Sequence, residues 1–206
     1  MENVGVLNQY QIEVSLLSGG ATQHDNVEFA DRITAEGKEP WTKLIQGLVQ
    51  SGKLGTDSEV LDIGARYLSE IVYFREVLGL TKTIGLDLYT KDEELIKVGD
   101  MHDMPFPDST FDLLFTRATH DKAYDIRKNI DETIRVMKPG GVIIMEDSAS
   151  YIDGVTELAR TDVKSTAHLL KMFGNSVGEV LHRRDLPSQN TFCRKYAFLA
   201  IEIKKT

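Results

Sequence analysis

Glu59-Val60-Leu61-Asp62-Ile63-Gly64-Ala65-Arg66 is a short apolar run closed by a glycine. That is the pattern of a buried parallel strand turning directly into a helix. A glycine at such a turn removes the Cβ that would hold a ligand away from the backbone. The helix N-terminus behind it favours a carboxylate or phosphate at the same spot. On its own the run fits packing as well as binding, so its meaning depends on what surrounds it.

Downstream, strand and helix patterns alternate. Tyr67, Ile71, Phe74 and Leu78 recur at helical spacing, with Gly79 placed to cap the C-terminus. Thr83-Ile84-Gly85-Leu86-Asp87 reads as the second strand. A short helix over 91–96 leads to a brief third strand ending at Asp100. Phe111 to Phe115 is the fourth strand, introduced by the turn Pro105-Phe106-Pro107-Asp108-Ser109. Ile126, Ile130, Ile134 and Met137 then line one face of an amphipathic helix, with Arg127, Asp131, Glu132 and Arg135 on the other. Pro139-Gly140-Gly141 stops that helix, and Val142 to Met145 is the fifth strand. A helix over 162–173 follows, then two longer strands, 177–184 and 192–203, with no crossover between them. These two predict an antiparallel hairpin at a sheet edge.

Such alternation predicts an α/β fold, a mostly parallel sheet with helices on both faces. In sheets of this kind ligands bind at the carboxyl ends of the strands. Residues 1–56 read differently. A Gly19-Gly20 loop runs on to Asn26, and a helix begins at Pro40-Trp41 and continues over 42–50. This part is too short to bury a core well by itself. It is expected to be an N-terminal helical cap within the same domain as residues 57–206.

The chain has 206 residues, 41% of them hydrophobic, and a formal net charge of −8. No apolar run approaches the ~20 residues of a spanning helix, and the first residues lack a signal-peptide pattern. The expectation is a cytoplasmic protein with no membrane partner. Cys193 is the only cysteine, which excludes an intrachain disulfide and a cysteine-rich zinc site. It lies in an alternating run and reads as a strand residue. The basic clusters, Arg183-Arg184 and Lys204-Lys205, are short. Nucleic acid is therefore not an expected partner, and a small neutral or cationic substrate suits the charge better.

Acidic residues close each of the early strands. Asp87 lies 25 residues after Asp62. An acid there can accept hydrogen bonds from both ribose hydroxyls of a nucleoside. Asp100 can accept from an adenine amino group. A helix cap or an ordinary turn is the competing reading for each.

Val60-Leu61-Asp62-Ile63-Gly64, Gly85-Leu86-Asp87-Leu88, Gly99-Asp100-Met101 with Met104 to Asp112, and Val136-Met137-Lys138-Pro139-Gly140-Gly141 follow one another in order. Together they resemble the class I S-adenosylmethionine-dependent methyltransferases, especially the small-molecule branch. The resemblance covers about 57–150 and rests most on the third and fourth segments. It implies a Rossmann-like seven-stranded sheet, mostly parallel with an antiparallel C-terminal edge hairpin. It makes 57–206 an S-adenosylmethionine-binding methyltransferase domain. It implies that Asp62 and Gly64 face the methionine part of S-adenosyl-L-methionine and that Asp87 holds the ribose. Leu88 would pack beside the adenine, and Asp100 with the Met101 backbone would contact its edge. Thr116 and Arg117, just after the fourth strand, would border the methionine and the methyl group. The sequence departs from the family in one place: Arg66 stands where a second glycine is usual. Its side chain either pairs with the cofactor carboxylate or narrows the pocket.

Methyl transfer needs few catalytic groups, because alignment supplies much of the rate. His120 is the candidate general base, with Asp121 beside it. Asp121, Glu146 and Asp147 offer oxygen ligands of the kind Mg2+ prefers. Surface loop residues that cap helices explain all four more simply, and no metal is expected. His102 reads as structural, while His24, Trp41 and Tyr10 in the cap are weak candidates for acceptor contact. The edge hairpin offers a surface for a homodimer. The function expected is methyl transfer to a small-molecule acceptor. The alternative is a methyltransferase-like domain that has lost activity and serves as a binding or regulatory subunit. A nicotinamide-dependent oxidoreductase ranks below both, because Gly64-Ala65-Arg66 lacks the full G-x-G-x-x-G.

Overall fold

A computed structural model describes residues 40–65, 68–151, 163–187 and 193–204. The element order is α1 (Pro40–Gln50), β1 (Glu59–Ile63), α2 (Leu68–Val72), β2 (Lys82–Asp87), β3 (Ile96–Val98), β4 (Phe111–Arg117), α3 (Ile126–Val136), β5 (Met137–Tyr151), α4 (Thr166–Phe173), β6 (Val177–Pro187) and β7 (Cys193–Ile203). The seven strands form one sheet in the order β3-β2-β1-β4-β5-β7-β6. β3, β2, β1, β4 and β5 pair in parallel, and β7 pairs antiparallel with both β5 and β6. The expected fold, parallel sheet and C-terminal edge hairpin included, is the observed one.

Side-chain alternation divides the core between the two faces. Val60, Leu113, Phe115, Val142, Ile144, Phe198 and Ala200 face one way and meet Trp41 and Ile45 of α1, with Tyr73 and Phe74. Leu61, Ile63, Leu114, Ile143, Met145, Leu199 and Ile201 face the other way and meet Ile130 of α3 with Leu169 and Phe173 of α4. Trp41 is fully buried, 4.8 Å from the Phe115 ring and 5.9 Å from Phe74. This overturns its reading as an acceptor contact. Its large apolar area seals α1 to the sheet. His24 and Tyr10 lie outside the described residues, as do the Gly19-Gly20 loop and the rest of the cap before Pro40.

Several element bounds differ from expectation, each for a local reason. No helix forms over 91–96. Asp92 instead accepts from Leu95 N through its side chain (3.1 Å) and from Ile96 N through its carbonyl (3.0 Å). One turn satisfies those groups locally, a known competitor of helix formation. β3 ends at Val98, so Asp100 lies beyond it in an isolated bridge to Asp103. β4 runs on to Arg117, which puts Thr116 and Arg117 within the strand rather than after it. Met137 belongs to β5, not to α3. The β4–β5 register jumps from Phe111↔Met137 to Leu113↔Val142, and the extra length holds Pro139 and the positive-φ Gly140 as a bulged entry to the strand. After α2 the chain continues as a π-helical turn, Tyr73–Val77, which buries Tyr73 and Phe74 together. α4 starts at Thr166, where the Ser165 side chain accepts from His168 N at 3.3 Å; residues 152–162 lie outside the described set.

Candidate functional site

The register places the ends of four neighbouring parallel strands side by side. Ile63 pairs with Leu86 of β2 and with Thr116 of β4, and Asp87 pairs with Val98 of β3. Gly64 N donates to Leu86 O (2.8 Å), and Gly99 N donates to Asp87 O (2.9 Å). Adjacent strands lie about 4.8 Å apart, so Asp62, Gly64, Asp87 and Arg117 stand at the carboxyl ends of neighbouring strands, with Asp100 two residues past the end of β3.

Gly64 adopts φ +79, and a Cβ there would overlap the Thr119 hydroxyl. The turn therefore needs glycine both for its backbone and for space. Thr119 comes from the loop after β4, and its hydroxyl donates to Arg117 O (3.0 Å) and Ile63 O (3.4 Å), bridging β4 to β1. Arg66 lies outside the described residues.

Charge gathers around Asp62, which is 1% exposed. Burial pushes its carboxyl well above the usual range; Glu70 adds to this, Arg117 opposes it, and Asp87 raises it further. Glu70 on α2 is also raised by burial and lowered by Arg117, whose Nε lies 3.2 Å from Glu70 Oε1. Asp62 Oδ2 is buried and makes no hydrogen bond among the described residues. Buried acceptors of this kind call for a donor. Glu70 escapes a reading by helical periodicity, because an acid beside Ile71 looks like a solvent-facing position. The signal for it is Arg117: a cation closing a buried strand needs a counter-charge.

On the β2–β3 side, Asp87 caps its own turn, accepting from Tyr89 N at 3.2 Å. Leu88 is half-buried. Asp100 Oδ1 accepts from His102 N (2.9 Å) and lies 2.6 Å from His102 Nδ1. Burial alone would raise the Asp100 carboxyl, but its bonds to His102 and Tyr124 bring it down to about 2. Met101 packs against the core, and its carbonyl accepts from Asn129 Nδ2 (3.1 Å).

On the β4–β5 side, the structure corrects the surface-loop reading of His120, Asp121 and Asp147. All three are fully buried. Thr116, also buried, lies 3.3 Å from His120 Nδ1. Burial, then the nearby His102, lowers the His120 imidazole to about 3, so the ring is neutral. Asp147 Oδ1 accepts from the backbone N–H of Thr119 (3.0 Å) and of His120 (3.1 Å). Asp121 pairs with Lys122 at 2.6 Å. Among the described residues no group of three His, Cys, Asp or Glu side chains is arranged to hold a metal ion. A shallow crevice lined by Thr56, Asp57, Asp112 and Lys138 lies at the other, amino end of β1 and β4. No helix among the described residues is long and apolar enough to cross a membrane.

The strand order, the glycine turn and the acids at the strand ends define the class: an α/β domain with the architecture of the class I S-adenosylmethionine-dependent methyltransferases. Residues 61–145 match the family described as methyltransferase domain. Over 112 residues, 47% of the chain, it is 31% identical to sarcosine/dimethylglycine N-methyltransferase of Halorhodospira halochloris, covering 40% of that protein. Over 139 residues, 62% of the chain, it is 24% identical to the uncharacterized methyltransferase YcgJ of Bacillus subtilis, covering 53% of it. The chain thus spans about half or less of these relatives' own length. Among solved structures, geranyl diphosphate C-methyltransferase from Streptomyces coelicolor A3(2) matches with a TM-score of 0.70 at 13% identity, over 97% of this chain and 99% of that one. The YcgJ crystal structure matches with a TM-score of 0.59 at 17% identity, over 80% of this chain and 100% of that one.

Proposed function

We propose that this chain binds S-adenosylmethionine in the cleft at the ends of β1 to β4 and transfers its methyl group to a small-molecule acceptor. One observation carries the reading: acids from separate strands converge with a glycine turn that only a residue without Cβ can make. The donor set fits. The ligand presents ribose hydroxyls and amino groups as donors, and the cleft offers Asp62, Asp87 and Asp100 as acceptors. The buried Asp62 Oδ2, without a hydrogen-bond partner among the described residues, is an acceptor of the kind such a ligand would satisfy.

The bound cofactor supplies a methyl group already activated on a positively charged sulfur. The chain's own residues then have to bind, orient and exclude water. Gly64 lets the ligand approach the backbone. Asp87 is the acceptor for the ribose, with Leu88 beside the base. Asp100 and the Met101 backbone meet the adenine edge. Asp62, Glu70 and Arg117 form the charged wall nearest the methionine part. Thr116 and Thr119 shape the floor between β1 and β4. Alignment of this kind replaces a bimolecular encounter with an oriented one. The acceptor is proposed to be small because one relative is named for sarcosine and dimethylglycine and one structural neighbour for geranyl diphosphate.

The second reading is a non-catalytic binding subunit. The burial of His120 favours it, because a fully covered, neutral imidazole does not reach an acceptor in this arrangement. His120 and Asp121 are accordingly proposed to shape the loop after β4; an acceptor that ionises by itself needs no base. Two measurements separate the readings. Calorimetry with S-adenosylhomocysteine reads binding, and transfer of a labelled methyl group to a panel of small amines, carboxylates and alcohols reads activity. Binding with transfer supports the enzyme, and binding without transfer to any member supports the subunit. No binding at millimolar ligand overturns the enzyme and favours the subunit.

A further inference from the structure

The Asp100 corner holds a contact that the cofactor reading does not use. Asp100 Oδ2 accepts a hydrogen bond from the Tyr124 hydroxyl at 3.1 Å. Tyr124 lies between the short 3-10 turn His120–Lys122 and α3, so it reaches Asp100 from a separate stretch of chain. Its ring stacks on His102, with centroids 3.7 Å apart and planes at 25°. The two carboxylate oxygens are held very differently. Oδ1 is bound within its own turn by His102, which is 1% exposed. Oδ2 is met by a side chain that is 43% exposed.

We propose that Tyr124 tunes the nucleoside site as an internal competitor: its hydroxyl holds the Asp100 oxygen that a 6-aminopurine needs, binding exchanges that hydrogen bond for one from the exocyclic amino group, and the competition narrows the preference for a 6-aminopurine over a purine without that group. The proposal rests on the cofactor reading above. Only a ligand with a donor at that position compensates Asp100 for losing the tyrosine. A purine without one leaves the tyrosine bond in place and gains nothing there. The exchange is available at any ordinary pH. Asp100 is a carboxylate, and partial burial together with the Asp100 charge pushes the Tyr124 hydroxyl up to about 12, so it remains a donor. A hydroxyl bound to a carboxylate is a charge-assisted contact, and competition from it lowers affinity for every 6-aminopurine ligand.

The test is calorimetric, on the full chain and on Tyr124→Phe, which keeps the ring on His102 and removes only the hydroxyl. Two probes are used: S-adenosylhomocysteine, and its analogue with hydrogen in place of the 6-amino group. Tyr124→Phe is expected to bind S-adenosylhomocysteine about fivefold more tightly than the wild type and the analogue with an unchanged Kd. Equal or weaker binding of S-adenosylhomocysteine by the variant overturns the proposal while leaving the cofactor reading intact. An equal gain for both probes also overturns it, because the gain then does not pass through the amino group. Failure of both proteins to bind S-adenosylhomocysteine removes the cofactor reading and this proposal together.

Discussion

Arg117 Nε lies 3.2 Å from Glu70 Oε1, joining the end of β4 to α2 across the mouth of the β1 turn. Asp62 feels both of them. The arginine is thus the cation that makes two buried acids tolerable at one point. Removing one partner of a buried pair leaves the other uncompensated. Arg117→Met is expected to cost about 3 kcal/mol of stability, less if water reaches the pair. Arg117→Met with Glu70→Met is expected to recover part of that loss. Urea denaturation of the wild type, both single variants and the double variant checks it. Strict additivity of the two single effects would show that the pair is not coupled.

Gly64 and Thr119 share one small volume. Gly64→Ala adds a methyl group where the Thr119 hydroxyl sits and forces a non-glycine residue into φ +79. A loss of about 1–3 kcal/mol is expected, with at least a tenfold fall in affinity for S-adenosylhomocysteine. Thr119→Ala removes the hydroxyl and methyl but not the strain in φ. The double variant should therefore be more stable than the sum of the singles predicts, yet remain below wild type. Thermal melts and calorimetry on the four proteins read both effects.

Asp147 gives a pH signature. Burial, then the neighbouring Asp121, raises its carboxyl to about 8, against the N–H groups of Thr119 and His120, which lower it. A carboxyl that holds its proton more tightly in the fold than in the unfolded chain favours folding below its ordinary range. That contribution is lost as pH rises from about 4 through about 8. Asp147→Asn keeps an oxygen acceptor for both N–H groups and cannot ionise. Its stability relative to wild type should therefore rise between pH 5 and pH 8, by at most roughly 1.4 kcal/mol per pH unit, and level off above. Denaturation curves at pH 5, 7 and 9 measure this. A difference that stays constant across the three would show that Asp147 does not titrate in that window.

Trp41 separates core from site. It is buried among Tyr73, Phe74 and Phe115, and its Nε1 makes no hydrogen bond among the described residues. Trp41→Ala is expected to cost about 3–5 kcal/mol. Trp41→Phe should cost far less, since no hydrogen bond of the indole is lost, and should leave S-adenosylhomocysteine affinity unchanged. A tenfold weaker Kd for Trp41→Phe would return this residue to the binding surface.

By itself the sequence determined the layered sheet, its parallel half and its edge hairpin. Those depend on apolar periodicity and on turn residues, both local in the chain: Gly64 closes β1 and Pro139-Gly140-Gly141 separates α3 from the regular part of β5. It also determined which acids stand at the ends of β1 and β2, because a strand end is visible from its own residues. Only the tertiary structure decided which of them meet and what they meet. The Glu70–Arg117 contact, the Tyr124–Asp100 hydrogen bond and the Asp147 bonds to Thr119 and His120 span 47, 24 and 28 or 27 positions. Register and helix docking set such distances, and no local pattern encodes them. Burial likewise escaped a local reading at Trp41, His120 and Asp147, because a polar or amphipathic side chain in a loop or cap looks the same in sequence whether water or a second strand covers it.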